Sequence, residues 1–390
     1  MRIWVLNHNL RGEATWHRAW NFAFQLRRHG HEVSLFTVHP SRRLTPVRSV
    51  EKDVIIVETP FFFNRRAAAS GLDPWDVLWR IRNVLFGAWD VLYVFSSLPN
   101  VALPLLLAQR YKPHSPCLSD WDDLFGDGGI YEYLNRGWTR PLYRAECWLE
   151  RRSRQVACGV TVTSQYLLDR ARALRRDGRV AYLPSGCNLS DIPVLDARAA
   201  RAELGLPGNR LILTYLGGGF NEDVLVMLDA LALARRALPN LHLLQVSEKD
   251  PRYLARIKAH NLEDAVTMTG RIPFARVPLH LAAADILLMP LCDSMNSRAR
   301  GPIKLRDYLC AGRPIVGTAL GEVAYWMSRH PVGRLAEPGP ESFARELIGL
   351  ASHPEAMLKY GQEARRVAEQ ELSWDILGRR IHELVQGWCA

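Results

Sequence analysis

A cation and a carboxylate three residues apart open one predicted helix of this chain, in the stretch ARGPIKLRDYLCAGRPIVGT at residues 299–318. Lys304 lies in the first turn, Asp307 in the second, and Gly312 follows the last. A helix N-terminus presents unpaired N–H groups and a partial positive charge, so it binds anions, and Lys304 adds a full charge. The pattern predicts a diphosphate site, with Asp307 accepting hydrogen bonds from ribose hydroxyls. The alternative is an exposed ion pair.

Alternating apolar and amphipathic stretches must position this pair. Short apolar runs, from IWVLN at residues 3–7 to PIVGT at residues 314–318, are separated by helical patterns and glycine-containing loops. Strand, loop, helix and strand in that order form the repeating unit of a parallel sheet with crossover helices. The alternation restarts with LILTYLGGG at residues 211–219. We therefore predict an α/β chain with two doubly wound, Rossmann-like domains.

The predicted domain boundaries follow the break in this alternation. We assign residues 1–190 to the first domain, residues 191–371 to the second, and residues 372–390 to a terminal helix that packs back toward the first domain. In open parallel sheets, ligands bind beyond the carboxyl ends of the strands. The cleft between two such domains is therefore the expected site.

Composition and charge narrow the cellular setting. No apolar run reaches the roughly 18–20 residues of a membrane span. The seven cysteines show neither a C-x-x-C pair nor metal-ligand spacing, which favours reduced thiols in the cytoplasm and no structural zinc. Residues 1–190 hold roughly 26 basic against about 17 acidic residues, so they carry most of the net charge of +10. A basic half suits nucleic acid, an anionic membrane or phosphorylated ligands, or is simply a solvated surface.

The stretch around Lys304 also resembles a known family. The run AADILLMPLCDSMNSRARGPIKLRDYLCAGRPIVGTALGEVAYW, residues 283–326, is similar to the donor-binding region of retaining GT-B glycosyltransferases of family 4. The opening HNLRGEATWHRAWNFAFQLRRHGHEV, residues 8–33, is similar to that family's glycine loop and first helix. The resemblance implies a GT-B fold, two Rossmann-like domains facing across a cleft. It also implies an N-terminal acceptor-side domain, a nucleotide diphosphate sugar on the C-terminal domain, and retention without metal or cofactor.

The resemblance assigns a set of residues to the donor, with departures. Two family glutamates eight positions apart are replaced by Ala299 and Asp307, so contact with the sugar must come from elsewhere. The family's Gly-Arg and nearby lysine are replaced by three glycines followed by Glu222 and Asp223. Backbone N–H groups of a glycine loop can still hold phosphate; loss of donor binding is the alternative. The candidates are Gly12, Gly217, Gly218, Gly219, Asp293 and Asn296 (toward the sugar), Arg298, Arg300, Lys304, Leu305, Asp307, Gly321 and Glu322.

Four side chains are candidates for catalysis. The sequence SDWDDLFGDGG follows a predicted strand and lacks the histidine that the family often has there. Asp120 and Asp122, at the carboxyl end of that strand, could meet an acceptor hydroxyl and act as a base. Acids at this spacing also bind metals or cap turns, and we predict no metal ligand. Glu13 and His17 lie within reach of the expected cleft, although a helical histidine between two tryptophans is commonly a packing residue.

A basic aromatic segment suggests one further partner. PFFFNRRAAASGLDPWDVLWRIRNVLFGAW, residues 60–89, mixes aromatic side chains with arginines. Such a segment could rest on an anionic membrane surface and receive a lipid-linked acceptor. In the alternative interpretation, the aromatic side chains belong to the core and the arginines to a solvated face.

Together these observations predict an enzyme, a glycosyltransferase of polysaccharide biosynthesis, cytoplasmic or peripheral at the inner face of the membrane. Its expected partners are a nucleotide-sugar donor and a glycan, lipid-linked or small-molecule acceptor. We expect no nucleic-acid partner, because no recognition helix, zinc module or RNA-binding aromatic motif occurs. Two alternatives stay open: a nucleotide-sugar epimerase on the same fold, and a non-catalytic GT-B subunit that accompanies an active transferase.

Overall fold

The computed structural model describes residues 1–217 and 221–389, so the predictions for Gly218 and Gly219 lie outside the described residues. The chain forms two compact units. The first contains residues 1–185, 299–301 and the chain from Trp374 onward, and the second contains residues 186–298 and 302–373. The boundaries thus fall a few residues from the predicted positions at 190 and 371.

The first unit is built on an eight-stranded sheet, in the order β3-β4-β2-β1-β5-β6-β7-β8. β3 and β4 are antiparallel, and the other neighbouring strands are parallel. All five side chains of β5 are buried, as expected for a strand covered on both faces. The strands are β1 Arg2–Leu10, β2 Glu32–Val38, β3 Val47–Glu51, β4 Val54–Thr59, β5 Val91–Phe95, β6 Cys117–Trp121, β7 Gly159–Val162 and β8 Val180–Tyr182.

Three helices of the first unit, α2, α3 and α6, start at a side-chain cap. Asp73 accepts hydrogen bonds from the backbone N–H groups of Trp75 and Asp76, with Pro74 as the first helical residue, a favourable N-terminus. These helices are α1 Trp16–Arg28, α2 Arg65–Ala69, α3 Pro74–Phe86, α4 Pro99–Tyr111, α5 Arg140–Val156, α6 Gln165–Leu174 and α16 Trp374–Cys389, with 3-10 turns at Glu132–Leu134 and Gly137–Thr139.

Helix α16 packs within the first unit against α1. The Phe22 ring meets the Trp374 ring edge to face, with centroids 6.0 Å apart. Near the other end of α16, the ring of Trp388 packs against Gly159. A Cβ atom at position 159 would lie 2.1 Å from this ring, so a larger residue would not fit. The terminal segment therefore completes the core of the N-terminal unit.

The second unit is a six-stranded parallel sheet, in the order β11-β10-β9-β12-β13-β14. Its strands are β9 Leu211–Leu216, β10 Leu241–Val246, β11 Val266–Met268, β12 Ile286–Met289, β13 Ile315–Thr318 and β14 Gly333–Ala336. Its helices are α7 Ala197–Glu203, α8 Asn221–Arg235, α9 Pro251–Ala259, α10 Val277–Ala282, α11 Met295–Ala299, α12 Ile303–Ala311, α13 Gly321–Met327, α14 Pro340–Ala351 and α15 Pro354–Gln370, with a 3-10 turn at Phe274–Arg276.

The described part of the chain contains no helix with the length and apolarity needed to cross a bilayer. The aromatic segment 60–89 contributes to both core and surface: Phe61, Val84 and Trp89 are buried, whereas Phe63 and Phe86 are exposed. Arg80 is also fully buried, so the arginines of this segment do not all belong to a solvated face, and its contact with a membrane stays a prediction.

Three histidines join α16 to the start of β2. His31 Nε2 lies 2.9 Å from His382 Nδ1, and the rings of His29 and His382 stack with centroids 4.9 Å apart. Burial, the N-terminal ammonium group and the other two rings lower the pKa of His31 to about 4. The folded state therefore binds this proton less readily than the unfolded state does.

Because the folded pKa is depressed, the stabilisation is present above pH about 6.5 and is lost as the pH falls toward 4. His31→Gln removes this titrating group. We expect the decrease in Tm between pH 7 and pH 4 to be about 2–4 °C smaller in His31→Gln than in the wild type. Thermal unfolding of both proteins over this pH range, with His353→Gln as a surface control, checks this. An identical pH dependence of both proteins would contradict it.

Candidate active site

Helix α12 is anchored at the carboxyl ends of two strands of the second sheet. The hydroxyl of Tyr308 accepts a hydrogen bond from the N–H of Leu216, at 2.9 Å, and donates to the carbonyl of Leu288, at 3.1 Å. Leu305 is fully buried, so its side chain belongs to the core, and only its backbone could touch a donor. Pro302 precedes the helix, and its side chain provides no cap. The N-terminus of α12 is thus fixed at the ligand-binding edge of the sheet.

Lys304 extends from this helix to the end of β9. Its ammonium nitrogen lies 3.1 Å from the Tyr215 hydroxyl and 4.5 Å from the centroid of that ring. A Cβ at Gly217 would lie 2.7 Å from the same ammonium nitrogen. Glycine at position 217 therefore makes room for the cation, and the structure brings these two predicted donor residues together.

Asp307 lies one turn further along α12 and is half-buried. Burial, followed by the nearby carboxylate of Asp191, raises the pKa of Asp307 to about 7. A carboxyl group without a nearby cation is costly to ionise, and a hydrogen-bond donor would lower that cost. The group is therefore suited to receive hydroxyl groups.

Gly321 and Glu322 have roles inside the protein. Gly321 has a φ of +49°, and a Cβ there would lie 2.7 Å from the carbonyl oxygen of Arg298, so this position favours glycine. Glu322 is buried; it accepts a hydrogen bond from Trp326 at 3.2 Å and lies 3.7 Å from the guanidinium of Arg306. Its carboxylate links α13 to α12, and this contact does not support direct donor binding by its side chain.

In the loop before α12, fewer charged side chains are accessible to a ligand than the sequence suggested. Arg298 forms an exposed ion pair with Asp293, at 2.7 Å, so both are engaged with each other. Asn296 and Arg300 are half-buried, and Ala299 is fully buried. Lys304 is therefore the better-placed cation of the set.

Asp223, which follows the glycine loop in place of the expected cations, is a structural residue. It is buried in the first turn of α8, and its carboxylate accepts a hydrogen bond from the N–H of Cys292 at 2.7 Å. This contact ties α8 to the loop after β12. The acid is thus explained by local structure and is compatible with a glycine loop that binds phosphate through its backbone.

Asp120 does not fit the catalytic role assigned to it from sequence. Its carboxylate is fully buried and accepts two hydrogen bonds from Arg18, both at 2.7 Å. Thr161 donates a further hydrogen bond to the same carboxylate. A buried group engaged in this way cannot accept a proton from an acceptor hydroxyl, so we assign Asp120 to the core.

Asp122 remains a candidate for contact with a substrate. It is largely buried, and its Oδ1 has no hydrogen-bond partner among the described residues. Unsatisfied buried oxygens are rare and call for an explanation such as a ligand or water. The neighbouring Asp123 is half-buried, and burial together with the charge of Asp122 raises its pKa to about 7.

The N-terminal glycine loop places its candidates at the surface. Gly12 has a φ of +86° with open space around it, and Glu13 forms an ion pair with Arg65. His17 is exposed on α1, so it is not the packing residue of the alternative interpretation. Among the described hydrogen bonds, none joins Glu13 or His17 to Asp122.

Three polar positions at the same edge of the first sheet were missed from sequence. His8, at the end of β1, is buried, and burial with the charge of Arg80 lowers its pKa to about 3. Ser96, directly after β5, is buried with a φ of +85°, a strained geometry often found at functional sites. Glu146 on α5 accepts a hydrogen bond from Ser97 at 3.0 Å, and burial raises its pKa to about 8.

The strand ends could have identified His8 and Ser96, because both follow apolar runs. Glu146 could not be found in this way, since it lies in the middle of a helix. Together with Asp122, these residues form a polar edge that can hydrogen-bond to several hydroxyl groups. Among the described residues, no cluster of three or more His, Cys, Asp or Glu could hold a metal ion.

Comparison with known proteins agrees with this architecture. Residues 14–186 match the glycosyl transferase 4-like domain, and residues 210–353 match the group 1 glycosyl transferases. The chain is similar to a D-inositol 3-phosphate glycosyltransferase of Segniliparus rotundus, with 27% identity over 47% of this chain and 42% of the relative. It is 26% identical to a GDP-mannose-dependent monoacylated α-(1-6)-phosphatidylinositol monomannoside mannosyltransferase of Corynebacterium glutamicum, over 58% of this chain and 61% of the relative.

The chain spans about half the length of the curated relatives it matches. Among solved structures, a sucrose-phosphate synthase of Thermosynechococcus elongatus has 17% identity and a TM-score of 0.76, covering 99% of this chain and 98% of that one. This likeness shows the fold. The two α/β units and this likeness define the GT-B fold. The two domain matches, one on each unit, place the chain among the group 1, family 4-like glycosyltransferases.

Asp307→Asn tests the environment of the Asp307 carboxyl group. Its pKa is raised in the folded state, so the stabilisation by its neutral form is present below pH about 4 and is lost as the pH rises through 7. We expect Asp307→Asn to raise the Tm at pH 8 by about 2–4 °C and to change it little at pH 4.5.

Thermal unfolding across this range checks the sign of the effect. Asp191→Asn is the matched control: it removes the neighbouring charge and leaves burial in place, so a smaller gain at pH 8 is expected. An equal shift for Asp307→Asn at both pH values would contradict a titrating Asp307.

Proposed function

We propose that this chain transfers a sugar from a nucleoside diphosphate sugar to a hydroxyl group of an acceptor, with retention of configuration and without a metal ion. The observation that carries the proposal is the placement of Lys304 between the N-terminus of α12 and Gly217. An ammonium group at a helix N-terminus is suited to a diphosphate.

Electrostatic stabilisation of the leaving diphosphate is the central step. Negative charge develops on the phosphate oxygens as the glycosidic bond breaks, and preorganised donors stabilise it without reorganisation. Lys304 and the first-turn amides of α12 supply such donors, with the backbone of the glycine loop as a further source. A metal ion could stabilise the same negative charge, so transfer in the presence of EDTA tests whether the reaction needs one.

Asp307 is proposed to bind the ribose of the donor. Its carboxyl lies one turn beyond Lys304 on the same helix, as the spacing of a diphosphate and a ribose requires. Hydroxyl groups donating to the carboxylate would lower its raised pKa. Donor affinity should therefore fall below pH about 7.

The acceptor is proposed to carry several hydroxyl groups and to be lipid-linked. The polar edge of the first sheet supports the first part, because Asp122 offers an unsatisfied carboxylate oxygen there. Two relatives named above act on an inositol phosphate and on a phosphatidylinositol mannoside by their names. An inositol-based head group is thus the first acceptor class to test. In such an arrangement Asp122 accepts a hydrogen bond from the reacting hydroxyl.

A lipid-linked acceptor would place the enzyme at the inner face of the membrane as a peripheral protein of the cytoplasm. The domain matches favour a transferase over a nucleotide-sugar epimerase or a non-catalytic subunit. A non-catalytic subunit would not turn over any donor, and an epimerase would convert donor without an acceptor. These two outcomes separate the alternatives.

Donor binding gives the first test. In metal-free buffer, a panel of nucleoside diphosphates and nucleotide sugars is screened for stabilisation, and Kd values are measured for the best ligand. We expect Lys304→Ala to weaken the binding of a nucleoside diphosphate about 10–100-fold, because it removes a charge-assisted contact. The binding of the free nucleoside should change little.

Lys258→Ala, an exposed lysine of helix α9 in the same unit, is the matched control and should bind the donor like the wild type. Transfer to an inositol acceptor is then assayed with and without EDTA. Unchanged diphosphate affinity in Lys304→Ala would refute the placement of the donor, and loss of transfer in EDTA would refute metal independence.

A further inference from the structure

Helix α5 carries charged side chains on both of its sides. Its inner side buries Glu146, Glu150 and Arg154 together with Tyr143 and Leu149, whereas its outer side carries Trp148, which is 56% exposed. A surface helix of a globular protein ordinarily turns its apolar stripe to the core and its charges to water. Trp148 is thus a large apolar side chain on the charged, outer side of the helix.

The outer surface is continuous with the segment before the helix. Trp138, in the 3-10 turn that leads into α5, is 91% exposed. Tyr133, Leu142 and Trp148 are exposed as well. We call these four residues, together with Ala145, the tryptophan face. Exposed apolar groups gathered in this way mark interaction sites.

Arginines surround the tryptophan face. With about 100° of rotation per residue, Trp148 lies in the middle of the outer side of α5, with Arg144 and Arg151 on one flank and Arg152 on the other. The described ion pairs include one of these, between Arg151 and Asp127. The basic residues of this surface are Arg136, Arg140, Arg144, Arg151 and Arg152, against the acids Asp127 and Glu132.

The inner side of the same helix holds the loops of the candidate site. Glu150 accepts hydrogen bonds from Trp121 Nε1 at 3.2 Å and from the N–H groups of Phe125 and Gly126, at 2.9 and 3.0 Å. Glu146 accepts from Ser97. A contact on the outer side of α5 would therefore act directly beside the loops that follow β5 and β6.

We propose that the tryptophan face is a docking surface for an anionic lipid bilayer. Tryptophan and tyrosine favour the boundary between head groups and acyl chains, since one end of each ring system is apolar and the other polar. Arginines around them match the negative charge of an anionic leaflet. The surface rests on the proposed function in one respect: it would bring the enzyme to a lipid-linked acceptor.

Charge selects the bilayer over other occupants. A second copy of the chain would bring the same arginines to the interface, where like charges repel. Helix α3 also has an exposed outer side, with Trp75, Leu78 and the 84% exposed Phe86, and the segment before it exposes Phe62 and Phe63. The exposed arginines there are Arg65, Arg66 and Arg82, against five at the tryptophan face, which also exposes two tryptophans instead of one. We therefore assign the contact to α5.

Sedimentation with vesicles tests the assignment in the absence of nucleotide and acceptor. The full chain is mixed with vesicles of phosphatidylcholine alone, or with one third phosphatidylglycerol, in about 0.1 M salt. We expect binding to the mixed vesicles only. Arg144→Gln/Arg152→Gln should weaken binding by about fivefold per arginine, and Trp138→Ala/Trp148→Ala should reduce it at least as much.

The matched control is Arg82→Gln/Phe86→Ala on helix α3, which removes one exposed arginine and one exposed aromatic ring and should bind like the wild type. All substituted side chains are exposed, so equal Tm values are expected and are measured. Thermal shifts with nucleoside diphosphates follow in the same samples. Vesicle binding without any response to nucleotide would support the docking surface and refute the proposed function.

Three results would overturn the proposal. Wild-type protein that responds to nucleotide but ignores anionic vesicles would show that the face does not bind lipid. Loss of binding in the α3 control, but not in the α5 variants, would move the contact to α3. Sedimentation velocity and oligonucleotide titration of the α5 variants complete the test: loss of self-association or of oligonucleotide binding, with vesicle binding intact, would identify a different partner.

Discussion

The buried ion pair between Arg18 and Asp120 fixes the edge of the first sheet on which the candidate acceptor residues lie. Its nitrogen and oxygen atoms are 2.7 Å apart, and both side chains are almost completely buried. Arg18 also donates to the carbonyl of Leu183, so α1, β6 and the end of β8 meet at one point. Removing one member of a buried pair leaves an uncompensated charge, which costs about 3–5 kcal/mol. Asp120, which the sequence suggested as a catalytic base, therefore stabilises the fold around the candidate site.

The candidate donor site of the second unit contains few charged side chains that could bind an anion. Acids occupy the positions after the glycine loop, Asp223 is used to fasten α8, and Arg298 is engaged with Asp293. Lys304, beside Gly217 and at the start of α12, is the cation that we propose for an anionic ligand, together with backbone N–H groups. Backbone donors need no side-chain ordering, and the Tyr215 ring holds the ammonium group in place. A site of this kind is preorganised, which is the property that lowers the cost of stabilising a developing charge.

Sequence periodicity was sufficient for the strands of both sheets that carry long apolar runs, because burial on both faces leaves a clear signal. It missed β3, β8 and β14, whose side chains are largely exposed or half-buried. For the candidate site, it selected Lys304, Gly217 and Asp307 from their spacing along one helix and one strand end. The structure brings Lys304 and Gly217 together, and the donor-binding roles of all three stay predictions. It assigned Asp120 a catalytic role that the structure does not support. The partner of Asp120, Arg18, is far away in sequence, so no local pattern indicates that the two form a buried ion pair. The burial of Glu146, Glu150 and Arg154 on α5 was not predicted for the same reason.

Carboxyl groups near the two ligand-binding edges share a raised pKa, for a common physical reason. Burial raises the pKa of Asp307 to about 7 and that of Glu146 to about 8. A neutral carboxyl group can donate as well as accept a hydrogen bond, whereas an ionised one only accepts. Glu146 lies on the inner side of α5 beside the buried Arg154, whereas Arg144, Arg151 and Arg152 are exposed on the outer side. The outer side of α5 can thus approach an anionic surface, while Glu146 presents a largely neutral carboxyl group to the loop after β5.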